Sequence, residues 1–256
     1  MSVQVIPKER QARGQFNGGE IIENKPIGFP REGGFTRPYS NLFYWAYAEA
    51  MVDSTIGLHP HEGFEIMSFV LKGQIRHFDT KMNAWKPLQA GDAQIIRAGN
   101  GISHAEFMGQ GSAMFQIWLD PDLNVSLKKP ASYSDYAASD FPVQSENGVE
   151  VKTYIGAGAP FKLDTAGVEI REYAFEKTDY KAAIDPEKVY SIYALSGGFT
   201  LNGEPVKADD FVLVKDAAAL VLQSEQPGKF FLIASPGKVG YKTYAEIMQE
   251  RMRGWA

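Results

Sequence analysis

Apolar residues along this chain fall in short runs set off by turn residues, and only the far end shows helical spacing. Residues 64–71, 73–78, 93–97 and 114–119 are apolar stretches, separated by Lys72-Gly73, Ala90-Gly91-Asp92 and Gly99-Asn100-Gly101. Evenly spaced short strands of this kind predict an all-β sandwich or barrel. The first fifty residues are rich in glycine and proline before turning aromatic at residues 41–47, which reads as a turn-rich lead-in. Residues 120–147 carry Pro121, Pro130 and Pro142 among many Ser, Asp and Ala, and read as a connector with a helical turn near residues 133–138.

Strand-like runs resume at 149–155, 167–175, 190–195, 211–214, 219–222 and 230–234. Ser196-Gly-Gly-Phe and Ala208-Asp-Asp-Phe-Val-Leu-Val echo Leu71-Lys-Gly-Gln and Ala90-Gly-Asp-Ala-Gln-Ile-Ile in the same order, the mark of a duplicated unit. Two β domains follow, residues 1–136 and 137–256. At the end, Thr243 and Glu246 form a capping-box pattern, with Tyr244, Ile247, Met248 and Met252 at helical spacing. A short C-terminal helix that packs on a β domain is the expectation.

Composition narrows the function classes. The chain is 44% hydrophobic and 22% charged, and no apolar run approaches the roughly 20 residues that span a bilayer. Its opening residues lack a basic segment followed by an apolar stretch, so a cytoplasmic location and no membrane association are expected. A net charge of −5 without a dense Lys/Arg cluster argues against direct nucleic-acid binding. With no cysteine, imidazole and carboxylate are the strong metal donors available.

The chain has 4 histidines, and three of them fall in two tight pairs: His59-Pro-His61 and His104-Ala-Glu106. Residues two apart on a strand share a face, so each pair can aim two ligands into one cavity. Three imidazoles and a carboxylate suit a borderline divalent ion such as Fe²⁺, Mn²⁺, Co²⁺, Ni²⁺ or Zn²⁺ and leave positions open for water or substrate. Glu65 rivals Glu106, because positions 59, 61 and 65 share parity if the strand runs unbroken; Gly63 between them is where it can kink. A carboxylate beside a metal can also take a substrate proton. His77 has no partner at ligand spacing and reads as a solvated strand residue. Gly91, Gly99 and Gly101 read as positive-φ turn positions, and Trp118, Phe115, Phe69 and Met67 as core. No histidine follows His104, so the second domain cannot build an imidazole site.

The ordered series His59-Pro-His-Glu-Gly-Phe-Glu65, Val70-Leu-Lys-Gly73, Ala90-Gly-Asp92 and Ala98-Gly-Asn-Gly-Ile-Ser-His-Ala-Glu106 resembles the paired metal-binding motifs of the pirin family, a branch of the cupin superfamily. It extends through Phe115-Gln-Ile-Trp-Leu119 and covers about residues 40–136, with the second half similar to a degenerate cupin. The resemblance implies two cupin jelly-roll β-barrels face to face. It also implies one mononuclear metal in the first barrel, Fe²⁺ by preference with Mn, Co, Ni, Cu or Zn as alternatives. The implied ligands are His59, His61, His104 and Glu106, with Glu65 placed outside the coordination sphere. The family often has arginine where Glu62 and Asn100 stand, so a less positive cavity mouth is expected here.

Two functions are implied. One is a quercetin 2,3-dioxygenase-like oxidoreductase that takes O₂ and a flavonol-like or enediol small molecule, with Glu106 or Glu65 as the base. The other is a non-enzymatic iron-dependent redox sensor that acts through a protein partner. A sugar isomerase is disfavoured, because no basic phosphate-binding cluster accompanies the ligands.

Overall fold

The computed structural model describes residues 1–253, with side chains through Arg251. Among these residues the chain is all-β, built from two seven-stranded and two four-stranded antiparallel sheets. The predicted runs become strands with shifts of a residue or two at their ends. Residues 64–71 appear as Glu65–Lys72, 73–78 as Gln74–Asp79, and 114–119 as Ala113–Leu119. No described helix is long and apolar enough to cross a membrane.

The chain folds as two compact units. One holds Gln11–Ala138, Leu163–Ala166 and the residues from Val239; the other holds Met1–Arg10, Ser139–Lys162 and Gly167–Lys238. Three short segments therefore cross a simple division at residue 136. Ser2–Ile6 illustrates why: it pairs with Phe211–Lys215, Ser2 opposite Lys215 and Ile6 opposite Phe211.

In the first unit the larger sheet runs in the order Ser132–Tyr136, Ala93–Arg97, Glu65–Lys72, Ala113–Leu119, Leu42–Ala50, Ile21–Ile27, Ala12–Phe16. The smaller runs Ser54–His61, Ile102–Met108, Gln74–Asp79, Trp85–Gln89. Strand alternation decides what enters the barrel. At one end Ile56, Val70, Ile75, Leu88, Met108 and Met114 form a dry plug, each contributing about 1.5–3 kcal/mol of burial. Two residues further along the same strands, the inward positions turn polar: Ser68, His77, Glu106 and Gln116.

The second unit has no such change. Its interior holds Tyr173, Tyr180, Ile192, Phe199, Leu201, Leu222 and Phe230 in one buried apolar cluster.

The connector differs from expectation. Residues 132–136 are a strand, paired with Ala93–Arg97 by Tyr133 opposite Ile96 and Asp135 opposite Gln94, and the α-turn lies earlier, at Leu123–Ser126. Alternating Tyr133, Asp135 and their neighbours find a free sheet edge, and ladder hydrogen bonds outweigh a short helix with a costly nucleus.

The C-terminal helix, Tyr244–Arg253, opens with the expected capping box. The Glu246 carboxylate accepts from the Thr243 N–H at 2.8 Å, and the Thr243 hydroxyl accepts from the Glu246 N–H at 3.3 Å. Tyr244 and Ala245 pack on Phe43 and Phe64, whereas the side chain of Met252 lies outside the described residues. Asp120 fixes the helix start: its Oδ2 accepts from the Tyr244 N–H at 2.6 Å, and its backbone carbonyl accepts from the Tyr241 hydroxyl at 2.6 Å.

Burial pushes the Asp120 carboxyl up to about 6, partly opposed by the backbone N–H groups it accepts from. In the fold this group keeps its proton at pH values where the unfolded chain, titrating near ~3.9, has lost it. Its contribution therefore favours folding at pH 4 and is lost as pH rises to about 6. Asp120→Asn keeps an oxygen for the helix and removes that titration. The stability difference between wild type and variant, read from thermal melts, should change across pH 4–6 and be level above pH 7.

Candidate metal centre

His59 and His104 sit directly opposite one another where Ser54–His61 pairs with Ile102–Met108, and His61 lies opposite Ile102. The register shifts between His104 and Glu106: His104 faces His59, but Glu106 faces Ile56, so Gly57 and Leu58 bulge against the single residue Ala105. The bulge has a use. The Gly57 carbonyl turns to lie 2.7 Å from His59 Nδ1, which makes Nδ1 the protonated nitrogen and leaves the Nε2 lone pair for a metal.

The three imidazoles offer donor nitrogens within 4.8 Å of one another, and His59, His61 and His104 are the one such cluster among the described residues. The Nε2 atoms of His61 and His104 stand 3.0 Å apart, two basic nitrogens aimed at one point. Burial, then the neighbouring histidines, push His61 down to about 3 and His104 down to about 2, so both rings are neutral at ordinary pH. Neutral, converging imidazoles are what a divalent transition ion requires. The residues present fit such an ion.

Glu106, the expected fourth ligand, is fully buried on the same strand as His104 but is not one of the groups in this cluster. Its Oε1 accepts from the Ser68 hydroxyl at 3.0 Å and the Gln94 amide at 3.3 Å, and its Oε2 from the Gln116 amide at 2.6 Å. These three donors come from adjacent strands of the larger sheet, so the carboxylate bridges the two sheets. Tyr44, Glu23 and Lys25 form a second polar group. The Tyr44 hydroxyl donates to Glu23 at 2.9 Å, and Glu23 pairs with buried Lys25 at 3.1 Å. Burial and the Glu23 charge hold the Tyr44 phenol well above its usual range.

Glu65 does other work. The strand carrying the histidines ends at His61, Gly63 takes φ 78°, and Glu65 begins a strand in the other sheet, so the parity argument fails. Its Oε1 accepts from the Asp164 N–H at 2.7 Å and its Oε2 from the Thr165 N–H at 2.8 Å, with Arg97 at 3.7 Å. Glu65 thus anchors Leu163–Ala166, and burial raises its pKa against those hydrogen bonds.

His77 is the second departure. It is not solvated: its exposure is 0%, its Nε2 lies 2.9 Å from Asp79 Oδ2, and its ring stacks on Tyr133 at 4.4 Å. Ile75, His77 and Asp79 alternate inward, but only Ile75 looks inward-facing by polarity.

Gln94, Gln116, Ser68, Tyr44 and Trp118 complete the site. The Trp118 ring meets His61 edge-on at 4.8 Å, while Phe115, on the opposite face of the same strand, meets Trp45 and Tyr47. The inward spacing of Met114, Gln116 and Trp118 is the signal that could have found them. Gly99 is the turn that admits the second motif: at φ 51° a Cβ there would lie 2.5 Å from the Lys129 carbonyl oxygen.

An open depression of about 610 Å³ at the mouth is lined by Pro60, His61, Glu62, Thr80, Gly101, Ile102 and Ser103.

The pirin family profile matches residues 35–119, the span that carries every imidazole of this cluster. Residues 35–119 thus carry a pirin-type domain, about a third of the chain. It is 38% identical over 99 residues to Pirin-like protein 2 of Arabidopsis thaliana, covering 38% of this chain but only 30% of that relative. It is 26% identical over 185 residues to a quercetin 2,3-dioxygenase of Escherichia coli, covering 70% of this chain and 76% of the relative. The bacterial pirin YhhW of Escherichia coli, solved in complex with nickel(II), superposes with a TM-score of 0.74 at 21% identity, over 93% of this chain and all of that one. That likeness shows a shared fold.

Glu65 and Glu106 should separate cleanly in solution. Glu65→Ala leaves the backbone N–H groups of exposed Asp164 and buried Thr165 without their acceptor, and the buried one alone costs about 1–3 kcal/mol. Glu65→Ala should therefore melt markedly lower, and the milder Glu65→Gln should bind Ni²⁺ within two-fold of wild type in a chelator competition. Glu106→Ala should lose Ni²⁺ affinity at least ten-fold.

Proposed function

We propose that this protein is a pirin that holds one divalent transition ion on His59, His61, His104 and Glu106, and that it is a dioxygenase acting on a flavonol-like or enediol small molecule. The observation that carries this reading is the convergence of three imidazoles beside an open depression that His61 lines, with Glu106 buried two residues beyond His104 on the same strand. Three imidazoles and one carboxylate would hold such an ion and would leave it open to further ligands. When bound, the ion supplies a Lewis acid for the substrate hydroxyl and, as iron, the one-electron chemistry that ground-state O₂ requires.

The chain's own residues do the rest. Glu106 takes the hydroxyl proton of the enol, since Glu65 is committed to the 163–166 segment. Ser68, Gln94 and Gln116 hold both Glu106 oxygens, which keeps the carboxylate oriented and lets it carry charge within a buried site. Trp118 gives the planar substrate an aromatic wall next to His61. Glu62 at the mouth favours a neutral polyphenol over an anionic one. A depression of about 610 Å³ is ample for a ligand of that size.

Protein loaded with Fe²⁺ should bleach the flavonol absorbance band in air with one O₂ consumed per substrate, as read by an oxygen electrode. His59→Ala should abolish both metal uptake and bleaching. If metal-loaded protein leaves a panel of flavonols and enediols intact, the dioxygenase reading fails and the regulatory reading takes its place.

A further inference from the structure

The interior of the metal barrel contains two buried ring nitrogens that meet no protein group, His77 Nδ1 and His104 Nδ1. Both belong to fully buried residues. Ile102–Met108 pairs with Gln74–Asp79 so that His104 faces Asp79 and Glu106 faces His77, which makes His77 the diagonal neighbour of His104 on the inner face. Their ring centroids are 5.7 Å apart.

The protons on these rings can be assigned from their partners. Asp79 Oδ1 accepts from the N–H groups of Lys81 at 2.8 Å and Met82 at 2.6 Å, and Oδ2 faces His77 Nε2 at 2.9 Å. A carboxylate in that position accepts, so neutral His77 carries its proton on Nε2 and offers a lone pair at Nδ1. In His104 the order is reversed. Its Nε2 points at His61 Nε2, the metal position, so Nδ1 carries the proton. One orphan is therefore an acceptor and the other a donor.

We propose that His77 is a positioning residue for the metal centre, accepting the Nδ1–H of His104 through one bridging water, with Asp79 behind it. This rests on the reading of His104 as a ligand. The result is a line from Asp79 through His77 and His104 to the metal, a carboxylate–histidine device lengthened by one imidazole. Tyr133 holds His77 in place by stacking with a 9° interplanar angle, and its own hydroxyl donates to Gln94, which donates to Glu106. The His104 and Glu106 supports thus share one buried network. Negative charge at Asp79 draws the protons along this line and makes His104 a stronger donor, tightening a divalent ion and, for iron, favouring the ferric state.

The test compares wild type, His77→Phe and His77→Asn. Phenylalanine keeps the stacking surface and removes the acceptor; asparagine restores an acceptor oxygen. Ni²⁺ affinity by chelator competition should fall 10- to 100-fold in His77→Phe and recover at least in part in His77→Asn, and the Fe³⁺/Fe²⁺ potential of His77→Phe should rise. Equal affinity and potential in wild type and His77→Phe, or equal losses in both variants, would overturn the proposal. Side-chain ¹⁵N spectra of the Zn²⁺-loaded wild type give a readout that needs no variant: His77 should be protonated at Nε2 alone, and a proton on its Nδ1 would refute the line. Wild type that takes up no metal at all would bring down the metal-centre reading itself, and this inference with it.

Discussion

The centre depends on one cross-strand register, His104 opposite His59, with two residues bulging against one just beyond it. A slip of a single residue would send every inward side chain of Ile102–Met108 to the outside. The bulge prevents a slip from being neutral, because Gly57 and Leu58 have no place to go in a regular ladder. It also turns the Gly57 carbonyl onto His59, so the irregularity that pins the strand also selects the tautomer of that imidazole. Met108 and Ile56 in the plug below reinforce the same alignment by burying their side chains in one cluster.

Above the plug, the barrel has to carry buried charge, and it does so by sharing. Glu106 takes donors from Ser68, Gln94 and Gln116; Glu23 takes Lys25 and Tyr44; Asp79 takes two backbone N–H groups and His77. Burying a carboxylate without such partners costs far more than each hydrogen bond returns. The three carboxylates divide one hydrophilic interior among separate sets of donors, and none relies on solvent. The second unit fills its interior with tyrosines, phenylalanines and aliphatics instead.

Much of this was legible in the residues alone. The His59/His61 and His104/Glu106 pairs were visible because alternation is a property of any strand, and the turn glycines because only they tolerate the required φ. Glu65 misled because parity was counted across Gly63, where one strand ends and another begins in a different sheet. His77, Gln94 and Gln116 were invisible for another reason. Polar residues alternating with exposed ones look solvated until the opposite strand supplies their partners. The strand at Ser132–Tyr136 was read as helical because its sequence is weakly β-forming, and what decides it is the open edge of Ala93–Arg97, a tertiary fact.

The pairing of Ser2–Ile6 with Phe211–Lys215 has a consequence for how the molecule is made. About 200 residues separate the partners, so at a translation rate of about 5–20 residues per second the early strand leaves the ribosome some tens of seconds before its ladder exists. The histidine-bearing barrel waits as well, since Leu163–Ala166 and the helix at Tyr244 arrive after its strands. Nascent chains of this protein thus spend an interval with an unpaired β-edge and an open barrel end, the period in which a chaperone or an early-bound ion has most influence on the outcome.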